Sequence, residues 1–135
     1  MTQGVLGTAA LIALTFGVHF ATGSYQVAGI SNWSAMIVPV AELVLVAFVE
    51  ELVIRGVLFR IVETSLGTWI ALGLTSTLFA LSHLPNEGVT ILAVAVTAMA
   101  GVRLCVAFMV TDRLWLALGI HFAWNCMFGT FSRGL

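Results

Sequence analysis

Glu50 and Glu51 stand side by side in an apolar run, with Val44-Leu45-Val46-Ala47-Phe48-Val49 before them and Leu52-Val53-Ile54 after. Carboxylates are expensive to hold in such surroundings, so an ionisable residue there is a functional candidate by default. Arg55 follows Glu51 by four and shares its helical face, where it can pair with that carboxylate. Glu50 is turned about 100° away and needs another partner. Two histidines join the group. His83 closes a later apolar stretch, with Phe79 one turn before it, and His121 shares a face with Asn125 four residues on. Carboxylates and imidazoles are the side chains of general acid–base catalysis and also of metal sites. Singly, each has a plain structural reading. Glu51–Arg55 is then a buried ion pair, His83 a helix cap or interfacial residue, and His121–Asn125 interhelical hydrogen-bond glue. Together, in so apolar a chain, they point to a site. His19 has no partner at helical spacing and is read as structural, Glu42 as interfacial, and Glu87 and Asp112 as turn residues.

The elements that must carry these residues are membrane helices. Of the 135 residues, 61% are hydrophobic and 8% charged, against about 25% charged in an ordinary soluble domain. A chain with so little polar surface is expected in lipid, as a multi-pass protein of the cell membrane. A spanning helix needs about 20 mainly apolar residues, and five segments meet or approach that: 4–21, 34 to beyond 53, 66–84, 89–110 and 114–131. Turn and cap residues separate them, at Thr22-Gly23-Ser24, Ser31-Asn32-Trp33-Ser34, Ser65-Leu66-Gly67, Pro85-Asn86-Glu87-Gly88 and Thr111-Asp112-Arg113. The expected architecture is all-α: one domain over residues 1–135, a polytopic bundle of about five transmembrane helices.

The second segment reads as one α-helix from Val40 to Ser65, about 39 Å long. Counted back from Ser65, Glu50 lies about 22 Å up that helix, and His83 about 26 Å up the next. The two are thus expected at similar depth, with His121 and Asn125 converging on the same cavity. Ala93, Thr97 and Gly101 form a small-residue stripe suited to close helix packing, and Arg103 on the same helix is read as snorkelling. Arg55, Arg60 and Arg113 fall on one side and Arg133 on the other, so the positive-inside rule puts the first three in the cytoplasm.

The net charge of −1 gives no reason to expect nucleic acid. Cys105 and Cys126 match no zinc or redox spacing and are expected as small core residues. The end, Ser132-Arg133-Gly134-Leu135, carries no prenylation signal, and the lack of a basic residue before Val5 argues against a signal peptide.

Glu50-Glu51-x-x-x-Arg55, Phe79-x-x-x-His83 and His121-x-x-x-Asn125 resemble, in order, the three motifs of the CAAX protease and bacteriocin-processing (CPBP or Abi) family. Ile54 stands where that family often has Phe, and Asp112-Arg113-Leu114-Trp115 leading to Gly119-Ile120-His121-Phe122-Ala123-Trp124-Asn125 is similar to the approach to its third motif. The resemblance covers about residues 40–130. It implies an intramembrane endopeptidase in which a glutamate activates water. Glu50 is then the general base and His83 holds the same water. His121 and Asn125 donate to the oxyanion, and Glu51 and Arg55 orient the helix. The implied partners are membrane lipid and a membrane-presented peptide, prenylated or a leader. No cofactor is implied. Two alternatives stay open: a zinc peptidase with His83, His121 and a glutamate as ligands, and a non-catalytic immunity or scaffold protein.

Overall fold

Long runs of Val, Leu, Ile, Ala and Phe broken by Gly, Pro and Thr fold into helices and nothing else among the described residues. The structure is a computed structural model that describes residues 33–86 and 88–129, together with Leu14, Gly17, Val18, Ala21 and Thr22. The expected first span and the readings of His19, Glu87 and the C-terminal Ser132–Leu135 fall on positions outside the described residues, apart from those five. Helix α1 covers Trp33–Glu51. A π-helical stretch, Leu52–Phe59, continues it into α2, Arg60–Leu66. Then come α3, Thr68–Ser82, α4, Ile91–Thr111, and α5, Leu114–Gly129. The chain divides into two compact units, Phe48–Ala117 and Met1–Ala47 with Leu118–Leu135.

The π-helix corrects the expectation of a regular α-helix from Val40 to Ser65. Its hydrogen bonds run i to i+5, so each turn takes in more residues than the 3.6 of an α-helix. The helical depth of Glu50 counted at 1.5 Å per residue therefore does not hold. Glu51, Arg55 and Phe59 follow one another at intervals of four along this stretch, and all three are buried.

Within the unit Phe48–Ala117 the helices meet over a small apolar core of Phe59, Ala71, Cys105 and Phe108, flanked by Val62, Leu72 and Leu114. The Phe59 and Phe108 rings meet edge to face, with centroids 5.8 Å apart. Cys105 is the small core residue expected of it, its sulfur 3.5 Å from Thr75 Oγ1, and both cysteines are free thiols. The small-residue stripe on α4 performs its close packing at one position. A Cβ added to Gly101 would stand 3.1 Å from Ser76 Cα and 3.2 Å from Ser76 O, whereas Ala93 is exposed and Thr97 bonds back to its own helix.

The turns at Gly67 and Asp112 form where expected, whereas Trp33 and Ser34, expected in a turn, open α1. Gly67 separates α2 from α3 at φ +87°, a conformation open to glycine and costly to other residues. Asp112 ends α4 in the left-handed region at φ 49°, its N–H donating to Phe108 O at 2.7 Å and its carboxylate taking a 2.8 Å bond from Arg60 Nη2.

Among the described residues α4 is the helix long and apolar enough to cross a membrane, 21 residues or about 31 Å. α3 and α5 are shorter apolar helices. The exposed surface of α4 includes Ile91, Leu92, Met99 and Val110, each more than 70% exposed, apolar side chains that suit lipid rather than water, with the exposed Arg103 on the same face as the last three.

Candidate active site

Arg55 is the centre of the cluster. It is wholly buried, and three groups hold its guanidinium. Nη1 donates to Glu51 Oε1 at 3.0 Å, Nη2 donates to the carbonyl of Gly101 at 3.1 Å, and the planar head lies over the Phe79 ring, 4.6 Å from its centroid. Sequence spacing foretold the first contact. The other two come from packing. Gly101 lacks a side chain, so Ser76 of α3 closes on α4 there, and the glycine carbonyl accepts from Arg55 as well. Gly101 is the eleventh of the 21 residues of α4, about 15 Å from either end. A charged pair thus sits level with the middle of a helix of spanning length, where an uncompensated charge would be severely penalised.

Phe79 links this pair to the histidine. Its ring centroid lies 4.7 Å from that of His83, the planes tilted by 59°. Its carbonyl lies 2.8 Å from His83 Nδ1. A carbonyl only accepts, so Nδ1 carries the hydrogen in this bond, and a ring with a single hydrogen has its lone pair on Nε2. His83 is also the C-cap of α3, its backbone N–H donating to Ala80 O at 3.2 Å. The plain reading of His83 as a cap is therefore correct for its Nδ1, and the cap leaves Nε2 as the acceptor for another group. His83 lies seven residues beyond Ser76, about 10 Å along α3 from the Gly101 level.

Glu50 precedes Glu51 on α1. It is half-buried, with Oε2 enclosed. The unit Phe48–Ala117 thus contains Glu50, Glu51, Arg55, Phe79 and His83, and contacts connect four of them in the order Glu51, Arg55, Phe79, His83. His121 and Asn125 belong to the other unit, one turn apart on α5, the histidine buried and the amide half-buried. Among the described residues no three His, Cys, Asp or Glu side chains are grouped as metal ligands.

Two contacts are not legible in the sequence. Gly101 stands out for its size and not for its carbonyl, and Phe79 as part of the second motif and not as a partner of Arg55. Gly56, a weak helix former, lies within the π-helical stretch.

Comparison with known proteins gives one positive result. A family model described as type II CAAX prenyl endopeptidase Rce1-like matches residues 31–127. No curated protein and no solved structure matches the chain.

Proposed function

The chain belongs to the type II CAAX prenyl endopeptidase Rce1-like family, and from that premise we propose that it is a multi-pass intramembrane endopeptidase using glutamate-activated water. The observation that carries this reading is the buried Glu51–Arg55 pair, held at the midpoint of α4 beside Glu50 and tied through Phe79 to His83. The family is one of proteases, and the residues given roles by the motif resemblance lie within the matched residues 31–127.

In the proposed reaction Glu50 takes a proton from water, and the water oxygen attacks the carbonyl carbon of the scissile peptide bond. His83 Nε2, the ring nitrogen with the lone pair, accepts a hydrogen bond from the same water. Negative charge gathers on the carbonyl oxygen, and the motif resemblance gives its stabilisation to His121 and Asn125 as hydrogen-bond donors, worth about 3–4 kcal/mol per donor in a dry site. The C–N bond then breaks, and the proton held by Glu50 passes to the departing amine nitrogen. Glu51 neutralises Arg55, so the buried cation does not draw Glu50 out of its role.

Depth favours a substrate presented from the membrane. The hydrocarbon core is about 30 Å thick. If the Gly101 level marks its middle, His83 lies about 5 Å inside its edge. The turn after His83 is non-helical backbone at that depth, which is tolerated where it lines a water-filled cavity. A CAAX-type prenylated peptide, anchored by its lipid, is the proposed substrate class. The test is to incubate the purified protein in lipid nanodiscs with prenylated and unprenylated peptides. Appearance of a new carboxyl terminus in the prenylated peptide supports the reading. Intact peptide at all enzyme concentrations rejects it.

A further inference from the structure

Phe79 is buried, lies between a cation and a histidine, and has no reactive group. We infer that it is a positioning residue, its ring and its carbonyl together fixing His83 as the Nδ1–H tautomer with Nε2 offered to the hydrolytic water. The inference rests on the endopeptidase reading of the site.

The two contacts to His83 do different work. The carbonyl, 2.8 Å from Nδ1, decides which nitrogen carries the hydrogen. A carbonyl alone leaves the imidazole able to swing away, since one hydrogen bond does not fix a plane. The ring lies against the imidazole, centroids 4.7 Å apart and planes tilted by 59°, and limits that swing. The ring is itself held from its other neighbour. Arg55 lies 4.6 Å from its centroid, and Arg55 is fixed at both ends of its fork by Glu51 and Gly101. A cation on an aromatic face is worth about 0.5–2 kcal/mol, the upper value applying where water is excluded. An aliphatic side chain of similar size fills the space without that attraction. Ser82 Oγ lies 3.3 Å from Nδ1 but gives its own hydrogen to Phe79 O at 2.8 Å, so the serine does not compete for the role of donor to Nδ1.

The tautomer can be read without substrate, by nitrogen NMR of protein carrying labelled histidine in lipid nanodiscs. His19→Gln and His121→Gln assign the signals. Wild type should show His83 protonated at Nδ1. Phe79→Leu should give a mixture of tautomers and lower kcat by up to about a hundredfold with KM little changed, the cost of a misplaced catalytic group. Phe79→Tyr should restore both. Phe79→Met, a flexible filler without an aromatic face, is read in the same way if the leucine variant does not fold. A single Nδ1–H tautomer in folded Phe79→Leu or Phe79→Met overturns the inference, as does undiminished kcat. Wild-type protein that cleaves nothing defeats the peptidase reading alone, because the NMR result stands apart from activity.

Discussion

The Arg55 guanidinium and the Phe79 ring are stacked 4.6 Å apart, and that one contact joins the acidic motif on the first long helix to the histidine that ends α3. Glu51 and Gly101 hold the arginine from one side, and His83 rests on the phenylalanine from the other. The cluster is a chain of contacts, so its links can be broken singly.

Glu51→Gln removes the counter-charge and leaves Arg55 buried with a neutral partner. Loss of one member of a buried pair costs about 3–5 kcal/mol. Denaturant unfolding in micelles should show a loss of that size. The double change Glu51→Leu with Arg55→Met should recover much of it, because it removes both charges. A double variant less stable than Glu51→Gln would mean that the pair itself stabilises the fold.

Gly101→Ala and Gly73→Ala form a matched comparison. At Gly101 the added methyl group meets Ser76 at 3.1 to 3.2 Å, backbone included, whereas at Gly73 it meets nothing within 4 Å. Gly101→Ala should cost about 1–3 kcal/mol as α3 and α4 are forced apart. Gly73→Ala should be neutral or add up to about 1 kcal/mol through helix propensity. Equal effects in a thermal unfolding series would show that the close approach carries no weight.

Much of this was legible in the residues. Composition identified a helical, membrane-type chain, and four-residue spacing paired Glu51 with Arg55, because a helix puts those positions on one face whatever the rest of the fold does. The three motifs pointed to the family that the match over residues 31–127 supports. What could not be read was anything set by contact between distant segments. The Gly101 carbonyl lies 46 positions from Arg55, and no periodicity couples them. The π-helix was missed for a related reason. Intervals of four between Glu51, Arg55 and Phe59 read as ordinary α-helix, and the Val, Leu and Ile around them carry no mark of the wider turn.

Asp112 offers a test of the turn between α4 and α5. Its ion pair with Arg60 is exposed on both sides, so Asp112→Asn should change stability by no more than about 1 kcal/mol, asparagine also tolerating φ 49°. Asp112→Val puts a β-branched residue in the left-handed region and should cost about 1–3 kcal/mol. Equal tolerance of the two would show that the turn is relaxed in solution.

The zinc alternative makes a separate demand. An amide is a poor zinc ligand and a good donor to an oxyanion, and Asn125 occupies the position one turn after His121 where a helical zinc motif has its second histidine. Elemental analysis of active protein should find no stoichiometric zinc, and chelation should leave activity intact. Zinc lost together with activity, and both restored by adding the metal back, would replace the proposed mechanism.

The most direct test is cleavage of a membrane-anchored prenylated peptide by wild type and Glu50→Gln, both shown to be folded by their unfolding transitions. The substitution keeps the shape of the side chain and removes the base. The account predicts turnover by the wild type and none above background by Glu50→Gln. Full activity in folded Glu50→Gln would contradict it.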